Sequence, residues 1–344
     1  MLPALKRLAL RALTFPGATR PLRPLLRGRA TIFMLHRFTD PARGIEAHAP
    51  EDLRQALAWL RRERVPLVPL PDIFGERAPA LPAGATAFTI DDGYLEQATI
   101  AAPVFTEFDC PVTTFLTSGF LDRTLWFWWD RIEFVFQQTT HRSLDLTIGD
   151  STVRHAWQND AGRLAAQRDV TERCKLVPDG EKHATIARLA VAAEVALPDS
   201  APERYAPMSW DQARACERQT TMRFGPHTVT HPILSQTPDA QSRIELTDSW
   251  RRLREELGEP VPIFCYPNGG PEDFGSREIE TMVEIGLAGA VVGTPGYAVP
   301  RVEAATREGR FRVRRFSMPS DVPHVVHCAG GVERLVELAK GGAA

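Results

Sequence analysis

The chain has 344 residues, 43% of them hydrophobic, with a formal net charge of -2, so it can bury a sizeable core in one large or two ordinary domains. That balance excludes a nucleic-acid-binding surface spread over the whole molecule, and no stretch approaches the roughly 18 apolar residues of a membrane span. Five cysteines, widely spaced and without a Cys-x-x-Cys pair, fit the reduced thiols of a soluble cytoplasmic protein.

The charge is unevenly spread. Residues 1–30 hold Lys6, Arg7, Arg11, Arg20, Arg23, Arg27 and Arg29 and no acid, which leaves -9 on the remainder. Leu2, Leu5, Ala9 and Leu13 fall near one face of a short helix and Lys6, Arg7 and Arg11 off it, as in a membrane-surface segment. A disordered basic tail is the other reading. Arg11 interrupts the apolar run and no small-residue cleavage site follows, which argues against a secretory signal.

Residues 31–35 read as a buried strand that delivers His36 and Arg37 to its end. His36 is a site candidate, a structural histidine beside a loop being the alternative. After Pro50, Leu53, Ala56, Leu57 and Leu60 recur with a helical period over 51–62. A short strand near 67–70 and a Pro- and Ala-rich loop over 71–84 lead into the central strand at 86–90. A helix over 95–108 and a strand over 111–116 follow, and this alternation predicts a parallel sheet.

The pattern breaks after Gly119. Residues 119–207 read as a mainly helical insertion, with a helix at 181–195, opened by Trp126-Phe127-Trp128-Trp129. Those tryptophans either form a stacking platform for sugar rings, with Trp128 as the candidate, or anchor the insertion by ordinary packing. The alternation resumes with Ser209 capping a helix at 210–217 and a strand at 221–225. Thr237 and Pro238 open a helix that stops at Gly258. A strand at 261–266, a helix at 277–285 and strands at 288–292 and 311–316 complete the series. Residues 319–344 form a tail or helix. Together 31–318, less the insertion, suffice for one closed or nearly closed β/α barrel, whose functional groups belong at the carboxyl ends of its strands.

The central strand ends in Asp91-Asp92-Gly93. Adjacent ionised carboxylates repel each other, so a cation between them makes sense; an Asp-Gly hairpin turn is the bland reading. About 130 residues later come His227 and His231, four apart, with Pro232 biasing His231 toward an extended conformation. That spacing lets two imidazoles converge on one metal ion, though two surface histidines give the same pattern. Asp91, Asp92, His227, His231 and Tyr266 all fall at strand ends by this reading, and the joint occurrence favours a metal site over chance.

With these residues in place the chain resembles the polysaccharide deacetylases, carbohydrate esterase family four, which share the nodulation-factor deacetylase domain. Thr89-Ile90-Asp91-Asp92-Gly93 matches the first family motif with one apolar exchange, and His227-Thr228-Val229-Thr230-His231 matches the second fully. Tyr266-Pro267-Asn268-Gly269 stands for the third without its arginine. The resemblance implies an incomplete seven-stranded (β/α) barrel and a divalent metal, most often zinc with cobalt or nickel as alternatives, on Asp92, His227 and His231. It implies Asp91 as general base for the water that attacks the acetyl carbonyl, and the Tyr266 backbone N–H as an oxyanion donor. Pro267 and Asn268 would border the substrate with His36 and Trp128.

Two departures stand out. The family's late Leu-x-His, source of its general acid, is missing from Val313-Arg314-Arg315-Phe316-Ser317-Met318, and neither His324 nor His36 is an evident substitute. The absent motif-three arginine removes the group that orients the base. The resemblance implies hydrolytic removal of an acetyl group, from nitrogen by preference, from an acetylated sugar, a cell-envelope glycan or a lipid-linked saccharide. With the basic amino-terminal segment it suggests peripheral association with the cytoplasmic membrane face. The alternatives are an inactive carbohydrate-binding relative, or a metal-dependent amidase acting on a non-sugar substrate.

Overall fold

The computed structural model describes residues 12–75 and 78–341. Strands β1 (Ala30–Leu35), β2 (Ala85–Ile90) and β3 (Val112–Leu116) pair in parallel as anticipated, and each is almost entirely buried. Burial on both faces is what a parallel sheet wrapped by helices demands of near-continuous apolar strands. An antiparallel hairpin, β4 (Ser143–Ile148) with β5 (Ser151–Ala156), lies in the insertion. The barrel then continues with β6 (Met222–Pro226), β7 (Ile263–Cys265), β8 (Gly289–Val291) and β9 (Phe316–Ser317).

The seven barrel strands split into a five-stranded sheet, in the order β6-β3-β2-β1-β9, and a parallel β7-β8 pair. The two sets touch at both seams. Val261 N–H donates to Phe224 O at 2.6 Å beside β6, and a parallel bridge joins Val291 to Val313 on the other side. The result is the expected incomplete barrel, open where those ladders thin out. At the first seam Gly225 is required, because a Cβ there would stand 2.7 Å from Ile263 O and 2.9 Å from the Phe115 ring.

Local chemistry explains where the elements differ from their expected bounds. The segment near 67–70 makes only an isolated bridge, Leu67 to Thr86, because Pro66, Pro69 and Pro71 offer no N–H to a ladder. The helix expected over 95–108 becomes a π-turn, Gln97–Ala101, followed by Ala102–Glu107, with Pro103 unable to donate at the junction. Ser209 caps Trp210–Gln219 in a capping box with Gln212. Thr237 does not cap the next helix: its hydroxyl donates to Leu234 O, and Asp239–Glu256 begins one residue later than expected, with Pro238 at the cap. The last strand is two residues long rather than six, since Gly309–Phe311 coils into a 3-10 turn.

The insertion is helical apart from the β4-β5 hairpin, which sequence periodicity did not reveal. Its helices Trp128–Gln138, Asp160–Cys174 and Asp179–Ala192 bury a separate apolar cluster that includes Ile132, Phe136, Leu146, Trp157, Val170, Ile186 and Leu189. At the amino end, residues 12–29 are not a disordered tail: Arg20–Leu26 forms a 3-10 turn, Leu26 is buried, and Gly17 N–H donates to Glu63. Most of the expected amphipathic helix, Leu2 to Arg11, lies outside the described residues. The carboxyl end forms two helices, Val322–Ala329 and Val332–Ala339. All five cysteines are buried and unpaired. No helix of the described residues is long and apolar enough to cross a membrane.

Gly225→Ala should destabilise the fold by about 1–3 kcal/mol, because backbone and an aromatic ring must yield to one methyl. Urea unfolding measures this, and an unchanged midpoint would show that the seam relaxes freely.

Candidate active site

The site lies at the carboxyl ends of the strands. Behind β2, Asp91 and Asp92 are 3% and 4% exposed. The Asp-Gly pair makes no hairpin; Asp92 and Gly93 take φ of 93° and 100° and turn the chain toward the Gln97 helical turn. Gln97, fully buried, holds that turn: its amide donates to Asp91 O at 2.6 Å and His36 O at 2.7 Å, and its oxygen accepts from Gly93 N–H at 3.1 Å. One side chain thereby locks the ends of β1 and β2 together.

After β6, His227 and His231 point their Nε2 atoms at Asp92 Oδ1, at 3.6 and 3.5 Å. His227 Nδ1 lies 2.7 Å from the carbonyl oxygen of Cys265, so Nδ1 carries a proton and Nε2 is the nitrogen turned inward. The intervening loop is held by Glu245 of Asp239–Glu256, which is 1% exposed and accepts from Val229 N–H, Thr230 N–H and the Thr230 hydroxyl at 2.7–2.8 Å. Thr228 and His231 adopt φ of 67° and 58°, a strained conformation that this anchoring sustains. His231 is pushed down to about 3 by burial and next by His227, so it stays a neutral imidazole.

The donor set fits a divalent metal. The ligand atoms of Asp92, His227 and His231 all lie within 4.8 Å of one another. Bonds of about 2.0–2.2 Å in a tetrahedral site require ligand atoms roughly 3.3–3.6 Å apart, which matches the two distances to Asp92. Two imidazoles and one carboxylate suit zinc, cobalt or nickel better than magnesium or calcium.

Asp91 faces away from this triad and meets a cation of its own. Arg315, 1% exposed, donates from both terminal nitrogens to Asp91 Oδ1 and Oδ2 at 2.8 and 2.9 Å. The same guanidinium donates to Thr89 Oγ1 at 3.0 Å and Val292 O at 3.1 Å. Burial alone would raise the Asp91 carboxyl, but Arg315 outweighs it and holds the group well below the usual carboxylate range. Cys265, read from the sequence as a small core residue, lies between them, its Sγ 3.4 Å from Asp91 Oδ2 and 3.1 Å from Arg315.

These groups open into a cavity of about 430 Å³. His36, half exposed, borders it with Nε2 3.8 Å from Asp91 Oδ2. Tyr266 and Asn268 line it as well, whereas Pro267 is buried behind the turn and does not. The Tyr266 N–H is directed at Val291 O, 3.4 Å away, and its ring stacks on Phe274. Trp128 lines the cavity but is 4% exposed and packs in the insertion's core, as the anchoring reading anticipates. Its neighbour Trp129 reaches further, edge-on to His231 at 4.6 Å and donating from Nε1 to the Tyr94 hydroxyl at 3.1 Å. Tyr94 in turn donates to the buried Asp130 at 2.7 Å, tying the insertion to the first motif. His324 is exposed, paired with Asp321, and not among the cavity's lining residues.

Sequence reasoning missed Arg315, Gln97, Trp129 and the wall of the cavity formed by Gln167 and Thr171. A late arginine in a strand-like segment was the one available signal; nothing in the sequence pairs it with Asp91.

Asp91 has a lowered pKa in the folded state, so its pairing stabilises the fold above about pH 4 and is lost as the pH falls below that. Arg315→Met should cost about 3–5 kcal/mol at pH 7 and flatten the acid limb of the stability-pH curve, with Arg315→Lys intermediate. Denaturant unfolding between pH 3 and 7 reads both effects.

The family model described as polysaccharide deacetylase matches residues 180–287, which include His227, His231 and Tyr266 but not the aspartate pair. No curated relative matches the sequence. Among solved structures, the chain is similar to Streptococcus pyogenes deacetylase PplD in complex with acetate, with a TM-score of 0.55 and 15% identity over 87% of this chain and 96% of that one. It is also similar to IcaB from Ammonifex degensii, with a TM-score of 0.54 and 16% identity over 88% and 97% of the two chains. Likeness at such identity speaks for the fold, and the matched segment is similar to the polysaccharide deacetylase model over the stretch that holds the two histidines.

Proposed function

We propose that this protein is a metal-dependent hydrolase that removes an acetyl group, by preference from nitrogen, from an acetylated sugar or glycan. The observation that carries the reading is the separation of labour between the two adjacent carboxylates. Asp92 converges with His227 and His231 on one point, while Asp91, turned 3.8 Å from His36, is oriented by Arg315. This supports activity over a purely binding relative, because the motif-three arginine missing from the sequence has a counterpart supplied by the last strand.

Asp92, His227 and His231 would hold the metal. When bound, the ion supplies Lewis-acid polarisation and a lower water pKa. Asp91, fixed in the ionised form by Arg315, takes the proton from the attacking water. The Tyr266 N–H is directed at Val291 O and Pro267 has none, so in this reading the oxyanion donor passes to Asn268, which lines the cavity. His36, the histidine that borders the cavity outside the ligand pair, gives a proton to the leaving amine. That assigns the general acid to the end of β1, adjacent to the strand where the family carries it. The aromatic Trp129 and Tyr94 offer one wall to a sugar ring, and Gln167 and Thr171 offer polar groups from the other.

Protein purified without chelator should carry near one equivalent of zinc, cobalt or nickel by elemental analysis, mostly lost in His231→Ala. Acetate release from a panel of N-acetylated sugars should fall at least about 100-fold in Asp91→Asn and in His36→Ala, with the metal retained in both. Sugar binding without acetate release by the metal-replete protein would instead identify a carbohydrate-binding relative, and turnover of non-sugar amides alone would identify an amidase. Absence of metal in every preparation, even after incubation with these ions, would overturn the mechanism.

A further inference from the structure

The end of the barrel opposite the cavity carries a feature that deacetylation does not use. Residues 12–29 approach β1 from its amino end, and the helix Pro50–Arg62 finishes at the same end, whereas the site lies at the carboxyl ends of the strands. β1 alone, six residues long, separates the two poles by about 20 Å. The amino-terminal segment is fastened there. Gly17 N–H donates to both oxygens of Glu63 at 3.1 and 3.0 Å, Arg62 donates to Thr14 O at 3.0 Å, and Arg20–Leu26 packs on Val332–Ala339.

What this pole presents to solvent combines cations with apolar groups. Phe15 is 70% exposed, and Leu335 on the adjoining helix is 48% exposed. Arg20 and Arg62 share one buried carboxylate, Glu63, at 3.7 and 3.8 Å, and Arg23 donates to the Glu63 carbonyl; Glu333 and Glu337 of the adjoining helix pair with His327 and Arg334, so the excess of positive charge lies on the amino-terminal segment. Arg27 and Arg64 are exposed and make no ion pair among the described residues. Three further basic residues, Lys6, Arg7 and Arg11, precede the segment in sequence.

We propose that this pole docks on an anionic lipid surface, with Phe15 entering the headgroup region and the surrounding arginines meeting lipid phosphates. An exposed aromatic ring inside a basic patch suits a bilayer interface, where apolar burial and charge attraction add. A nucleic-acid backbone would use the arginines but leave Phe15 without a role. Docked this way, the protein holds its cavity toward water. The substrate class follows, and this part rests on the deacetylase reading: a glycan that reaches the enzyme from the aqueous side, rather than a sugar tied by a short linker to the same bilayer.

The test is co-sedimentation of the full-length protein with phosphatidylcholine vesicles, with and without roughly 30% phosphatidylglycerol, at about 0.1 M salt. Binding is expected only with phosphatidylglycerol, and is expected to fall at least about tenfold in the Arg27→Glu/Arg64→Glu variant and severalfold in Phe15→Ala. These side chains are exposed, and thermal unfolding checks that the variants fold. Because the native cysteines are buried, a thiol-reactive fluorophore can be directed to Phe15→Cys or, at the cavity mouth, to Arg168→Cys. Spin-labelled lipid should quench the first and spare the second.

No binding, or equal binding to both vesicle types, would overturn the proposal. Displacement from vesicles by duplex DNA with no loss in Phe15→Ala would mark simple polyanion binding and also overturn it. Quenching at position 168 would overturn the orientation and the substrate class drawn from it. None of these measurements uses turnover, so their failure and failure of the deacetylase reading are told apart.

Discussion

Two carboxylates side by side and almost out of contact with water can both stay ionised only if each has its own cation, and the site is arranged around that requirement. Burial raises the pKa of both groups, yet both are held below the ordinary carboxylate range. For Asp91 the compensation is permanent, since Arg315 is covalently part of the fold and forks onto both oxygens. For Asp92 the lowering comes first from the hydrogen bond with His227 and then from His36 and His231, and a divalent ion held by Asp92, His227 and His231 would supply the full cation. The arrangement gives chemically identical neighbours different surroundings, one clasped by an arginine and one facing two imidazoles.

This division ties distant parts of the chain together. Arg315 reaches Asp91 from the last strand and also fastens Val292 beyond β8, so it links both sheets of the open barrel across the site. Gln97 joins the ends of β1 and β2, and Glu245 holds the histidine loop in a backbone conformation it would not adopt alone. The insertion is part of the same construction through Trp129, Tyr94 and Asp130 rather than an appendage beside it. An incomplete barrel with thin seams can hold a precise site because these polar contacts are buried, where a hydrogen bond is costly to leave unmade.

The fold separates two surfaces by the direction of its strands. The candidate site lies at the carboxyl ends, and the basic, partly apolar patch gathers at the amino ends, because residues 12–29 enter β1 from below. Parallel strands enforce this: every strand points its end toward the same pole, so a segment that precedes the first strand cannot reach the cavity without a long connection.

The sequence by itself determined the candidate site residues and the alternation of strand and helix. Asp91, Asp92, His227 and His231 were legible because motif spacing and strand periodicity are local properties, and the alternating pattern implied parallel strands with their ends at one pole. The Gln97 staple, the Arg315 partner of Asp91 and the placement of Trp129 on His231 were decided only by the tertiary structure. Asp91 and Arg315 are 224 residues apart, and no local rule links a lone arginine in one strand to a carboxylate in another. The β4-β5 hairpin escaped for a related reason: its strands alternate as a half-buried surface does, but their apolar face is defined only by the insertion helices that cover it. Burial makes these contacts strong, and burial is a property of the folded chain rather than of any segment within it.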